Sequence, residues 1–202
     1  MNSVWDQSVA GHKHVVRQYI IDAMLELVSE KGVSNVSMSE LSKAAKVSRQ
    51  TLYNYFPDLE SVLGAWMEHE ADMLYQEIRE KTESLENPLE QLFVYIVTSL
   101  QSCEKRQYPT GVEAAMSMQA SVGAKLRDQI SDHTSSLENH LRHILEQGVL
   151  EGKFRQDLDI EAQTQLIFRL TAGVHSIMTN PKYNVERTTK AIMDLVMNRL
   201  TA

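Results

Sequence analysis

A chain of 202 residues that is 43% apolar can bury one or two helical cores, and 4 Pro with 8 Gly is too little punctuation for an all-β or low-complexity chain. A single cysteine, Cys103, excludes an internal disulfide framework and suits a reducing compartment. The net charge of −7 works against indiscriminate attraction to nucleic acid, and no export-type start or long apolar run is present, so a soluble cytoplasmic protein is expected.

Residues 1–13 lack apolar periodicity and read as a flexible arm, although His12, Lys13 and His14 at its end are suited to phosphate contacts. The first helix is predicted over about residues 14 to 31. Val16, Ile20, Ala23, Met24, Leu27 and Val28 recur there at helical spacing, and Gly32 ends it as a C-terminal cap.

The next stretch, "SMSELSKAAKVSRQTLYNYF" from Ser37 to Phe56, reads as two short helices meeting at a tight turn. Ser37 and Glu40 form an S-x-x-E capping box, and Leu41, Ala44 and Ala45 supply an apolar face. Val47 plugs the turn and Ser48 caps the second helix. On that helix Leu52 and Phe56 face inward together, leaving Arg49, Gln50, Thr51, Tyr53 and Asn54 outward. Arg, Gln and Thr match guanine, adenine and the thymine methyl in a major groove, while Tyr53 and Tyr55 can donate hydroxyls to phosphates. The same outward set would also suit the solvated side of an ordinary amphipathic helix. Charge is distributed to match DNA binding, since residues 31–56 carry Lys31, Lys43, Lys46 and Arg49 against Glu40 alone, while the acidic excess lies in the following residues.

In the order of its residues this stretch resembles the tetracycline-repressor (TetR) family of bacterial regulators. That family shows a small capping residue, an acidic-aliphatic start, "A-A-G-V-S" at the turn, then "[LI]-Y-x-[YH]-F" and a helix opening "x-K-E". Ser37, Glu40, Leu41, Ala44, Ala45, Val47, Ser48, Leu52, Tyr53, Tyr55, Phe56 and Glu60 match it. Two positions depart. Lys46 stands where the family usually has glycine, so the turn either avoids the left-handed conformation or adopts it with a side chain present. Leu59 stands where the family usually has a lysine near the DNA backbone, and Lys46 is a possible replacement. The resemblance implies that Ser37, Lys46, Ser48, Arg49, Gln50, Thr51, Tyr53, Asn54 and Tyr55 form the DNA-binding surface.

Asp58 caps a helix predicted to run to about Thr82, with Val62, Leu63, Trp66, Met67, Met73, Leu74 and Ile78 along its apolar side. No flexible linker precedes it, so a shift of this helix would move the DNA-reading pair directly. Glu70 and Glu77 lie on or beside that side. They suit a salt bridge to a neighbouring helix, or a counter-charge for a cationic effector. Asn87, Pro88 and Glu90 start a further helix with Leu89, Leu92, Phe93, Ile96, Val97 and Leu100 as core. After Tyr108, Pro109 and Gly111, a short helix over 112–120 presents Met116 and Met118. With Trp66, Met67, Met73 and Tyr95 these methionines can line an effector cavity, although methionine at helical spacing also fills ordinary cores.

A long helix is predicted over 124–151, with Leu126, Ile130, Leu137, Leu141, Ile144, Leu145 and Val149 inside. His133 and His140 sit near that stripe and His143 one turn beyond. Seven residues of helix rise, about 10.5 Å, separate His133 from His140, too far for two ligands of one metal without other helices. No metal and no cofactor is therefore expected, and His133 joins Glu70 as a polar effector candidate. Gly148, Gly152 and Phe154 resemble the turn that the family shows before its last two helices. Asp159 caps the first of these, and Asn180 and Pro181 stop it. The second runs from about Val185 to Leu200.

The fold class expected is all-α, with about nine helices: the arm over 1–13, a three-helix helix-turn-helix DNA-binding domain over 14–57, and an effector-binding and dimerisation domain over 58–202. The resemblance implies a homodimer through the last two helices, about 159–180 and 185–200. One helix reads too few base pairs to be specific in a genome, whereas two related by a two-fold axis read a pseudo-palindrome. The reading is thus a ligand-responsive transcriptional regulator, most simply a repressor, that leaves its double-stranded operator when a small molecule binds. An activator or partner-controlled DNA-binding protein of the same fold is the alternative. A helical enzyme or metal protein is the other, but no catalytic constellation or phosphate-binding glycine loop is present.

Overall fold

The computed structural model describes residues 4–32, 35–104, 124–178 and 184–201, with side chains described over 11–32, 35–102, 134–172, 184 and 186–201. Among these residues there are eight α-helices and no strand: α1 (Val4–Lys31), α2 (Met38–Ala44), α3 (Arg49–Tyr55), α4 (Leu59–Thr82), α5 (Pro88–Glu104), α6 (Ala124–Leu150), α7 (Ile160–Met178) and α8 (Val185–Thr201). The short helix expected over 112–120 lies outside the described residues. No described helix is long and apolar enough to cross a membrane.

Helix α1 begins at Val4, so residues expected to form an arm continue the helix instead. The segment before residue 14 contains no proline, and one glycine, Gly11, is not enough to stop a helix that is extended from a packed turn. At its other end Gly32 adopts φ 77° and donates its N–H to the Val28 carbonyl at 2.9 Å, the left-handed cap read from the sequence.

Packing divides the described chain into two compact units, the first comprising 4–67 with 124–129 and the second 68–104 with 130–201. In the first, Ile20, Met24 and Val28 of α1, Leu41 and Ala45, Leu52 and Phe56, and Val62, Leu63 and Trp66 of α4 are buried. Burial of the first turns of α4 carries this unit on to Met67, past the division expected between 57 and 58. Arg17 lies over the Phe56 ring, its guanidinium carbon 5.1 Å from the centroid, so a cation covers the face of this buried aromatic.

The rotation of α2 is set by Glu40. Its Oε2 accepts the Ser37 N–H at 3.0 Å and the Ser37 hydroxyl at 2.7 Å, while the Glu40 N–H donates back to Ser37 Oγ at 3.3 Å, completing the capping box. The other oxygen, Oε1, takes Lys31 Nζ at 2.5 Å from the last turn of α1. The Lys31 bond and then the Ser37 hydroxyl hold the Glu40 carboxyl down to about 2, against partial desolvation. On α2 the inward residues are Leu41, Ser42 and Ala45, whereas Ala44, expected beside Ala45, is exposed. Four residues of spacing keep Leu41 and Ala45 on one side, and Ala44 falls off it.

Between α2 and α3, Lys46 takes φ 52°, the left-handed conformation that glycine adopts most readily. Its N–H donates to the Lys43 carbonyl at 3.1 Å and the Val47 N–H to the Ser42 carbonyl at 3.0 Å, so the turn closes in the usual way despite the side chain.

In the second unit α5 packs against both α7 and α8. Leu92, Tyr95, Ile96 and Leu100 of α5, Leu141, Ile144 and Leu145 of α6, Ile167 of α7, and Ile192, Val196 and Leu200 of α8 make its core. The helix starts are capped by the residues that the sequence indicates: Asp58 Oδ1 accepts Ser61 N–H at 2.7 Å, Asn87 Oδ1 accepts Leu89 N–H at 3.1 Å, and Asp159 Oδ1 accepts Ala162 N–H at 3.0 Å. After α6, Gly152 turns with φ 69° and the N–H groups of Lys153 and Phe154 both reach the Gly148 carbonyl, at 2.8 and 2.9 Å. This drops the Phe154 ring onto Gly148 so closely that a methyl group there would sit 2.0 Å from Cδ2 of the buried ring.

One polar group crosses this core. Thr82 Oγ1 lies 2.9 Å from the Ile78 carbonyl of its own helix and 3.0 Å from His140 Nε2 of α6, so the hydroxyl and the imidazole share a hydrogen bond between the two helices. The ring stacks near Tyr95, with centroids 6.5 Å apart, and meets Tyr75 edge-on at 6.0 Å. Desolvation first, then His143 and Arg79, hold the His140 imidazole below its ordinary value. Tyr95 donates its hydroxyl to the Leu137 carbonyl at 3.3 Å, and burial with Glu138 nearby pushes its ionisation upward.

Three substitutions check this account. Gly148→Ala is expected to lower stability in urea by about 3 kcal/mol, and to add little when Phe154 is already alanine, because the same clash is removed. Lys46→Gly is expected to raise the unfolding midpoint, by about 0.5 to 1 kcal/mol of stability, since relief of the left-handed side chain exceeds the entropy that glycine loses. For Glu40→Gln the folded carboxyl lies below its unfolded value of 4.5, so the native margin over the variant is complete above that pH and disappears as pH falls to about 2, read as converging thermal midpoints.

Candidate nucleic-acid interface

Helix α3 is seven residues long, and its sequence leaves little choice of face. Leu52 is fully buried and Phe56 nearly so, four residues apart on the inner side. Arg49, Gln50, Tyr53 and Asn54 are exposed, and Thr51 and Tyr55 half-buried. Lys46 and Ser48 are exposed at the helix entry, so a basic side chain stands beside the first turn.

Several of the hydroxyls named from the sequence have work within the fold. Ser48 Oγ accepts the Thr51 N–H at 3.0 Å and lies 2.8 Å from Thr51 Oγ1, so cap and first turn share one hydrogen-bonded pair. Ser37 is held in the capping box with Glu40. Of the DNA-binding set, Lys46, Arg49, Gln50, Tyr53 and Asn54 keep the most open side chains. This surface offers cationic and amide donors, two amide acceptors and the Tyr53 phenol, with the half-buried Tyr55 beside them, the inventory that reads base edges and holds phosphates.

Arg49 is not splayed into solvent. Its Nη2 donates to Ser39 Oγ at 2.6 Å across the α2–α3 corner. Ser39 carries no motif in the sequence, and ten residues separate it from Arg49, so no local periodicity brings the two together. The Lys31–Glu40 pair escaped sequence reading for the same reason, as a contact between helices rather than along one.

The residues read as effector candidates are distributed over both units. Trp66 is buried in the first, with Met67 half-buried beside it in sequence. In the second, Glu70 is half-buried, Met73 is 59% exposed, and Tyr95 is buried in the core with His140. Met116 and Met118 lie outside the described residues; His133 lies in α6, with its side chain outside them. Glu77 pairs with Lys81 at 2.7 Å on its own helix. Among the described residues no group of three His, Cys, Asp or Glu side chains could hold a metal ion.

Residues 20–65 match the bacterial regulatory proteins of the tetR family, and residues 67–199 match the C-terminal region of YsiA-like proteins. The fatty acid metabolism regulator protein of Bacillus subtilis (strain 168) is 22% identical over 181 residues, 89% of this chain and 92% of that one. The solved structure of the transcriptional regulator FadR from Bacillus subtilis in complex with stearoyl-CoA aligns with a TM-score of 0.78 and 21% identity, over 91% of this chain and 98% of that one. AibR in complex with isovaleryl coenzyme A and operator DNA aligns with a TM-score of 0.72 and 14% identity, over 92% and 100%. At these identities the structural likenesses show a common fold, and the matches to both halves carry the assignment: the chain belongs to the tetR family of bacterial regulatory proteins.

Proposed function

We propose that this regulator is a homodimeric repressor that binds a pseudo-palindromic operator through α3 and leaves it when an acyl-coenzyme A thioester enters the second unit. The observation that carries the DNA-reading part is the exposed face of α3, with Arg49, Gln50, Tyr53 and Asn54 outward over the buried Leu52 and Phe56. The effector class is supported by two proteins of like fold, FadR with stearoyl-CoA and AibR with isovaleryl coenzyme A and operator DNA. Dimerisation through α7 and α8 is supported by Leu166 and Leu195, 51% and 58% exposed on the single chain, large apolar side chains that a second copy would cover. Helix α4 is continuous from Leu59 to Thr82, without a linker that would absorb a shift. Binding to chromosomal DNA goes with a cytoplasmic protein, and that location is part of the proposal.

Selection of bound duplexes from a random pool by the purified protein is expected to yield an inverted repeat with half-site centres about 34 to 36 Å apart or a multiple of that. Long- and short-chain acyl-CoA thioesters are then titrated against the complex. The effective one is expected to weaken binding about 5- to 150-fold, while free coenzyme A and free fatty acid leave it unchanged. Enrichment of no repeat sinks the operator reading. A repeat that no thioester releases sinks the effector class alone.

A further inference from the structure

We infer that Ser39 is a positioning residue for sequence readout, holding the Arg49 guanidinium in the orientation in which α3 presents it to a base pair. The inference rests on the DNA-reading role proposed for α3.

Arginine carries about 2 kcal/mol of side-chain freedom that must be lost before a base is read, and a fork with freedom in four torsions discriminates poorly unless something else orients it. Here that something is on the page. Arg49 is exposed, yet its Nη2 is bonded to Ser39 Oγ at 2.6 Å. Ser39 is itself a rigid point: it sits in the first turn of α2, and its carbonyl accepts the hydroxyl of the buried Ser42 at 3.0 Å. The start of α2 is in turn fixed through Ser37 and Glu40 to Lys31 of α1. A guanidinium has five N–H donors, so the bond to Ser39 leaves four, and the paired donation to O6 and N7 of guanine remains available. Ser39 thereby limits the approach of the fork without consuming it. A hydroxyl is the right group, because it accepts from a cation in a neutral site and adds no charge that would hold the arginine away from phosphate-rich DNA.

The test compares base preferences of the full-length dimer, read from random-pool selection and from affinities for operators altered at single positions. Wild type, Ser39→Ala, Ser39→Thr, Arg49→Ala and the Ser39→Ala/Arg49→Ala double variant are measured together. Ser39→Ala is expected to reduce discrimination about three- to tenfold at one base pair in each half-site, the same pair that Arg49→Ala affects more strongly. Ser39→Thr, which keeps the hydroxyl, is expected to restore the preference, and Ser39→Ala is expected to add nothing once Arg49 is absent. A Ser39→Ala variant that weakens all sequences alike, shifts a different position or leaves the profile unchanged overturns the positioning role while the DNA-reading role stands. A wild-type protein that selects no sequence overturns both.

Discussion

The two oxygens of the Glu40 carboxylate face different helices. One takes the cation at the end of α1 and the other closes the start of α2, so a single side chain fixes both the distance between those helices and the rotation of the second. Helix α3 has no comparable anchor of its own. Its seven residues offer Leu52 alone as a buried residue within the helix, and Phe56 just beyond it, so its pose is inherited from α2 through the turn and the shared core. Isolated helices of this length are unstable in water, and tertiary packing supplies what local propensity does not.

That inheritance explains why the turn tolerates a side chain where glycine would be easier. Lys46 is left-handed at a cost of about 1 kcal/mol, and in return it adds a positive charge at the entry of α3, while Leu59 at the start of α4 supplies none. Stability and local electrostatics pull in opposite directions at this residue, and the hydrogen bonds on either side of it show the fold absorbing the strain without loosening the corner.

Much of this architecture was legible because it is local. Caps at Ser37, Ser48, Asp58, Asn87 and Asp159 depend on a side chain and an N–H a few residues away, and the inward pair Leu52 and Phe56 depends only on helical spacing. The start of α1 was not legible, since the segment before residue 14 has no apolar rhythm to announce a helix that extends from a packed end. Nor were the pairs Lys31–Glu40 and Ser39–Arg49, which join helices and leave no period in the chain. Tyr95 illustrates a different limit: an aromatic residue suited to a ligand cavity is equally suited to a core, and only its bond to the Leu137 carbonyl and its neighbour His140 show which surroundings it has. The second unit retains the fold of its relatives at low identity because packing constrains volume and pattern more than residue identity.

The His140–Thr82 bond has a consequence for how α6 seats against α4. A hydroxyl can donate to the ring or accept from it, and either bond needs a polar atom opposite it. Sliding α6 by four residues, one helical turn, would bring Leu141, Leu145 and Val149 to the places of Leu137, Leu141 and Leu145, but would set Ile144 where His140 is and leave the threonine oxygen buried against hydrocarbon. The apolar row along α6 would accept such a slip with modest loss, its side chains being similar in size and shape. A directional bond would not. It acts as a notch in an otherwise smooth slide, selecting one alignment of the two helices out of several that hydrophobic burial alone would leave nearly equal.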